Sequence, residues 1–275
     1  MLNLRHGQMH KGWTVNRRIL ILCLPLIALF LAFYVLPLFM TAYYSTVKSA
    51  FDHTFVGLQN YIKVFGNRYF RMAVQNTCLF ALCAVPLGWL LAFILALCMD
   101  HLPKWIGLFA GMLIVPMLLP VSALLPVWEM LFPSAEQAFF SVLTLFLWKY
   151  TGFAALLLLS GIRTVPRSCL EAARLDGANG MQVICRMVLP IMRDQAFFVL
   201  MLVLVYSFRV FKECYLLYGS YPPDHMYLIQ HYINNHFYKL NYQNMTVAAM
   251  CMLLIIALLA VCWIRSEKRR EGATA

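Results

Sequence analysis

Two groups of residues in this 275-residue chain carry chemistry that their surroundings do not explain. The first is the run Leu170-Glu171-Ala172-Ala173-Arg174-Leu175-Asp176-Gly177-Ala178, followed by Leu189-Pro190, a polar island in a chain that is 63% hydrophobic. The second is Tyr206, Arg209, Glu213 and Tyr215, with Lys149 further upstream, where ionisable groups interrupt otherwise apolar runs. A single carboxylate on a surface of small residues is suited to pairing with a cationic or N–H-donating groove of another protein. Tyrosine rings beside charged hydrogen-bonding groups suit a carbohydrate, which presents apolar ring faces and many hydroxyls.

The elements that position these residues follow from composition. A mean hydropathy of +0.74 and only 12% charged residues lie far from the roughly 25% charge of a soluble domain. The chain is therefore read as an all-α integral membrane protein. Crossing about 30 Å of hydrocarbon takes roughly 20 apolar residues, and six spans are expected at about 19–40, 73–99, 105–130, 140–162, 195–218 and 242–264. They form one membrane domain over 19–265, between a tail at 1–18 and another at 266–275. Four spans hold uncharged apolar runs. The fourth contains Lys149, and the fifth contains Arg209, Lys212 and Glu213. At ~1.5 Å per residue, Lys149 and Arg209 lie ~20 Å from the charged span ends at Arg163 and Asp194. At that depth they either snorkel outward or line a wet cavity.

Six spans put both termini on one side, and charge says which. Fourteen of the 22 Lys and Arg fall in the N-terminal tail, at Lys104, in the 163–194 segment and after the last span. The positive-inside rule makes that face cytoplasmic, leaving 41–72, 129–136 and 219–239 outside. Lys48, Lys63, Arg68 and Arg71 are exceptions on the outer side. The net charge of +11 is what such an orientation requires. With no basic stripe carrying interleaved aromatics, no nucleic-acid partner is expected. The first span lacks a small-residue cleavage site and exceeds the apolar length of a signal peptide, so it reads as a retained helix. Nine cysteines form no C-x-x-C pair and fall mostly inside spans, as packing residues do, and no metal site is expected. Pro116, Pro120 and Pro126 interrupt the third span, either as kinks in a packing helix or as a gating hinge.

Between the fourth and fifth spans, Pro166 and Ser168 mark a helix start, Glu171 falls in the first turn, and Gly177 or Gly180 supplies the stop. About ten residues form this short cytoplasmic helix. On it Glu171, Arg174 and Ala178 stack on one face, while Leu170, Ala173 and Gly177 form a small or apolar strip beside them. The segment has no Trp or Phe anchor, so it fits a protein groove better than a headgroup layer.

Glu171-Ala172-Ala173, Gly177 and Leu189-Pro190 resemble the EAA loop of membrane subunits of ATP-binding cassette importers. Asp176-Gly177-Ala178 is similar to the carbohydrate branch, related to maltose and glycerol-phosphate permeases. Phe55-Val56-Gly57-Leu58-Gln59-Asn60-Tyr61, Asn76-Thr77 and Ser207 to Glu213 resemble further segments of that branch. The chain departs from the pattern at Met187, at Tyr218-Gly219-Ser220-Tyr221-Pro222 and at Arg193-Asp194.

The resemblance implies a bacterial cytoplasmic (inner) membrane permease. Its partners would be a second permease subunit, an ATPase dimer and an extracytoplasmic solute-binding protein. Glu171, Ala172, Ala173, Asp176, Gly177, Ala178, Leu189 and Pro190 would couple it to the ATPase. The chain has no G-x-x-x-x-G-K-[ST] loop, so ATP and Mg would be bound by the partner and no cofactor by this chain, which would not itself be an enzyme. Tyr206, Arg209, Glu213 and Tyr215 are the candidate solute pathway. Arg209 and Glu213, spaced i, i+4, are equally readable as a salt bridge within one helix. Tyr221, Tyr227, Tyr232 and Tyr238 contact the binding protein or form an aromatic belt at the membrane surface. A permease for a polyamine or glycerol phosphate is the nearest alternative, and a polytopic membrane enzyme a more distant one.

Overall fold

The computed structural model describes residues 17–274, so the tail residues 1–16, with Arg5 and Lys11, lie outside the described residues. The described residues are predominantly helical, with one isolated bridge between Val47 and Phe55. In chain order the helices are α1 (Arg17–Phe30), α2 (Leu36–Thr46), α3 (Gln59–Gly66), α4 (Arg68–Asp100), α5 (Ile106–Leu118), α6 (Val121–Leu131) and α7 (Ala138–Ile162). They continue with α8 (Arg167–Leu175), α9 (Gly180–Val183), α10 (Leu189–Ile191), α11 (Arg193–Phe208), α12 (Phe211–Tyr218), α13 (Ile229–Tyr238) and α14 (Tyr242–Thr274).

Four stretches are long and apolar enough to cross a membrane unbroken: Cys23–Thr46, Arg68–Asp100, Ala135–Ile162 and Tyr242–Val261. Two bent pairs raise the number to six if each is one span. The run expected as one third span is such a pair, with α5 and α6 meeting at 89°. The cause is local. Pro120 has no N–H and forces the preceding residue out of the helical region, and Leu119 is extended at φ −67°, ψ 133°. Pro116 and Pro126 are accommodated inside α5 and α6, so only the middle proline breaks the chain. Similarly, a π turn at Leu31–Val35 joins α1 to α2 just ahead of Pro37, where a proline ring disturbs the preceding carbonyls. The last helix continues to Thr274, beyond the tail boundary expected at 265.

The core is α4 against α7, with α11 packed on both and α5 on α7. Lipid gives no hydrophobic advantage to helix association, so close approach and interhelical hydrogen bonds must hold the bundle. Buried Ala84, Gly88, Ala92 and Ala96 run up one face of α4. A Cβ on Gly152 of α7 would sit 2.2 Å from the Leu113 carbonyl oxygen of α5, so only glycine permits that approach. Trp89 Nε1 donates to the Ala196 carbonyl across α4 and α11 at 2.9 Å, and Gln195 Nε2 to the Leu157 carbonyl across α11 and α7 at 3.1 Å.

The polar motifs near the opposite end act as clamps. Asn60 Nδ2 donates to the Ser45 and Val47 carbonyls, and the Tyr61 and Ser45 hydroxyls lie 2.9 Å apart, fixing α3 to the end of α2. Gly57, at φ +58°, makes the turn before α3 that presents them. Asn76 Nδ2 donates to the Asp224 and Tyr227 carbonyls, and Thr77 Oγ1 accepts from Ile229 N. Those bonds latch the 219–239 segment onto α4.

Candidate functional site

The polar island is a ledge. α8 begins after Pro166 and ends in a Schellman arrangement, with Gly177 N donating to the Arg174 carbonyl and Ala178 N to the Ala173 carbonyl. Gly177 takes φ +84°, the left-handed conformation that a side chain disfavours. The helix is one residue shorter than expected. Glu171 sits in its second turn, not its first, because Arg167 is the first helical residue. Gly177 and Ala178 lie beyond its end, so of the expected stack only Glu171 and Arg174 share the helix.

One side of the ledge is fastened down. Leu170, Ala173, Ala178, Ile184 and Leu189 pack against the α4–α7–α11 core, and Val165, Val183 and Val188 are buried beneath. Asn179 and Gln182 exchange hydrogen bonds of 2.9 Å in a capping box that starts α9. A π turn at Ile184–Val188 precedes Pro190. The chain then turns at buried Met192 by 82° into α11. Arg163 and Asp100, 3.5 Å apart, join the ends of α7 and α4 under the ledge.

The other side is open. Glu171, Ala172, Arg174, Leu175 and Asp176 are exposed, Leu175 to 88%. Among the described residues Glu171 makes no ion pair, although Arg163, Arg167 and Arg174 line the same cleft beside α8. A free carboxylate beside an apolar knob on a rigid mount is a surface built to be covered.

The second group of residues is rearranged relative to the sequence reading. Glu213 pairs with Lys149, not Arg209: Lys149 Nζ lies 2.9 Å from Glu213 Oε1, with the two side chains 7% and 2% exposed. Neither snorkels. Arg209 occupies the turn between α11 and α12, where its N–H bonds the Tyr206 carbonyl, so no continuous helix places it one turn from Glu213. Tyr150 Oη donates to the same Oε1 at 3.1 Å, and its ring stacks on Tyr206 at 4.6 Å. Glu213 Oε2 is buried without a hydrogen-bond partner among the described residues. Tyr206 and Glu213 are thus brought together through Tyr150. Arg209 is exposed, and half-buried Tyr215 packs on Phe211 and accepts a hydrogen bond from Ser220. Sequence reasoning missed Tyr150 and the Lys149–Glu213 partnership. The available signal was opposite charges in two neighbouring spans.

Fold and site together define a membrane permease subunit, apolar helices bearing a polar ledge at one end. A family model for the "binding-protein-dependent transport system inner membrane component" matches residues 84–270, and the chain belongs to that family of transport subunits. It is 27% identical over 227 residues to the trehalose/maltose transport system permease protein MalF of Thermococcus litoralis, covering 74% of this chain and 77% of that one. It is 25% identical over 212 residues to the sn-glycerol-3-phosphate transport system permease protein UgpA of Pectobacterium atrosepticum, covering 68% and 72%. Its fold matches a bacterial ABC transporter involved in import of the acidic polysaccharide alginate, with a TM-score of 0.75 and 21% identity over 92% of this chain and 95% of that one.

Proposed function

We propose that this chain is one permease half of a carbohydrate importer, with α8 as the helix that couples it to an ATPase. The observation that carries the reading is the open side of α8, where an unpaired Glu171 and a nearly fully exposed Leu175 stand on a mount fixed to the core. The ledge faces the cytoplasm, as the basic residues around it require, and the 219–239 segment faces out. The partners are an ATPase dimer that binds ATP and Mg, a second permease subunit, and an external solute-binding protein that delivers the solute. The trehalose/maltose relative supports a sugar as cargo.

ATP closes the ATPase dimer, and its motion is passed through Glu171 and the small surface of Ala172 to α8. Because Leu170 and Ala173 pack on the α4–α7–α11 core, α8 moves with that bundle as a rigid body. The permease halves pivot and the cavity between them opens outward. Hydrolysis reverses the pivot. In the pathway, exposed Arg209 and the rings of Tyr206 and Tyr215 face the solute. Glu213 acts by positioning, holding α12 to α7 through Lys149.

The test is retention of partners by tagged protein purified from native membranes in mild detergent. Wild type is expected to bring down an ATPase and a second permease, and Glu171→Ala to lose the ATPase while its spans remain folded. An ATPase retained equally by both removes α8 as the coupling element.

A further inference from the structure

On the face opposite the ledge, the start of α4 and the 219–239 segment enclose a cavity of about 470 Å³, within the ~300–1,000 Å³ of small-molecule sites. Its lining does not resemble a membrane-surface belt. Tyr227 and Tyr232 are buried in its wall, at 7% and 0% exposure, whereas belt residues direct their rings at headgroups. Tyr69 and Tyr221 stand more than half exposed at its rim.

The polar groups in this cavity are incompletely used. The Tyr232 hydroxyl, enclosed behind the wall, has no hydrogen-bond partner among the described residues. Asn235 Nδ2 donates to the Ser220 carbonyl at 2.9 Å and to Tyr227 Oη at 3.3 Å, and among the described residues its Oδ1 has no donor. Asp224 and Lys239 both line the cavity and form no ion pair among the described residues. Lys239 Nζ instead lies 5.7 Å from the centre of the Tyr221 ring. The frame is held from several sides: Asn76 holds the Asp224 and Tyr227 carbonyls, the Tyr232 and His236 rings lie tilted with centres 4.1 Å apart, and Phe70 meets Tyr232 edge-on.

We propose that this cavity is an outer-face subsite for a neutral saccharide. One sugar ring lies against the Tyr221 or Tyr69 face, and its hydroxyls bridge Asp224, Asn235 and Lys239. Aromatic faces beside unpaired donors and acceptors match a ring with apolar C–H faces and an equatorial rim of hydroxyls. The lining sets one carboxylate beside one ammonium, and so offers no net positive charge to a phosphate ester. The proposal rests on the sugar-importer reading and adds a station that a solute meets before the membrane pathway.

The test uses the assembled transporter in lipid nanodiscs, with an environment-sensitive fluorophore on Tyr238→Cys at the edge of the segment. The same fluorophore on the parent protein measures background from native cysteines. Maltose or trehalose is expected to change the signal saturably at millimolar concentration, and glycerol 3-phosphate to leave it unchanged. Tyr221→Ala weakens the response about tenfold. Asp224→Asn, which removes the charge and keeps the shape, weakens it about fivefold. ATPase retention stays at the wild-type level in both variants, so loss of this site is separable from failure of the importer reading. Absence of a saturable response to both disaccharides overturns the proposal, as does an undiminished response in Tyr221→Ala and Asp224→Asn, or an equal response to glycerol 3-phosphate.

Discussion

Removing either member of the Lys149–Glu213 pair should damage the protein far more than removing both. At 2.9 Å and an effective dielectric of ~20, attraction between the two charges is ~6 kcal/mol. Desolvation of two ions is several kcal/mol each and opposes it, so the pair as a whole is near neutral against apolar residues of the same size. A single replacement is different. With Glu213 gone, the Lys149 ammonium is left 7% exposed with no counter-charge, and leaving a buried charge unpaired costs about 3–5 kcal/mol. Lys149→Met strands the Glu213 carboxylate, whose Oε2 already lacks a partner, although the Tyr150 hydroxyl still donates to Oε1. Lys149→Met and Glu213→Leu should therefore each cost about 3–5 kcal/mol. The double variant should lie within about 1 kcal/mol of wild type, a coupling of several kcal/mol. The assay is unfolding of the purified protein in mixed SDS micelles, followed by tryptophan fluorescence, since Trp148 adjoins Lys149 and its ring lies 5.5 Å from that of Trp128. Single variants that each cost under about 1 kcal/mol, or a double variant equal to their sum, would refute the argument that these charges are dry and mutually dependent.

Three further outcomes are expected. Gly177→Asn should retain the ATPase in pull-downs while Gly177→Val loses it. Asparagine tolerates the left-handed backbone, whereas for most side chains it costs about 1–2 kcal/mol, and no atom of this chain lies within 4 Å of the added Cβ. Gly152→Ala should lower the unfolding midpoint in SDS by an amount equivalent to about 1–3 kcal/mol, since its Cβ would meet backbone of α5; a midpoint at the wild-type value would mean α5 shifts freely. His231 is fully buried, accepts from Leu228 N through Nδ1, and is held by burial at a pKa of about 4 against an ordinary 6.5. Below pH 6.5 the unfolded chain binds a proton that the folded chain refuses, so this contribution is whole above 6.5 and is lost as pH falls toward 4. The loss is about 3 kcal/mol. His231→Gln should flatten the stability profile between pH 6.5 and 4, and an unchanged slope in that variant would assign the acid sensitivity elsewhere.

The sequence by itself determined whatever depends on neighbours along the chain. Apolar run length marked the membrane segments, and the turn after α8 was legible because a residue at φ +84° is most readily a glycine. The EAA-type loop was readable for the same reason, since its small residues, its stop and its following Leu-Pro all lie within twenty positions. Tertiary structure decided the rest. Three prolines, Pro116, Pro120 and Pro126, read alike in the sequence, and the structure shows the chain turning by 89° at Pro120 alone among them. Arg209 looked like the partner of Glu213 because four residues separate them, yet the partner was Lys149, 64 residues away. Asn76 read as part of a motif opening a span and proved to be a latch for carbonyls about 150 residues downstream. Rotation of one helix against another sets these pairings. Side-chain direction about a helix axis becomes definite only when glycine and alanine contacts such as Gly152 on Leu113 fix how closely, and at what angle, the helices meet.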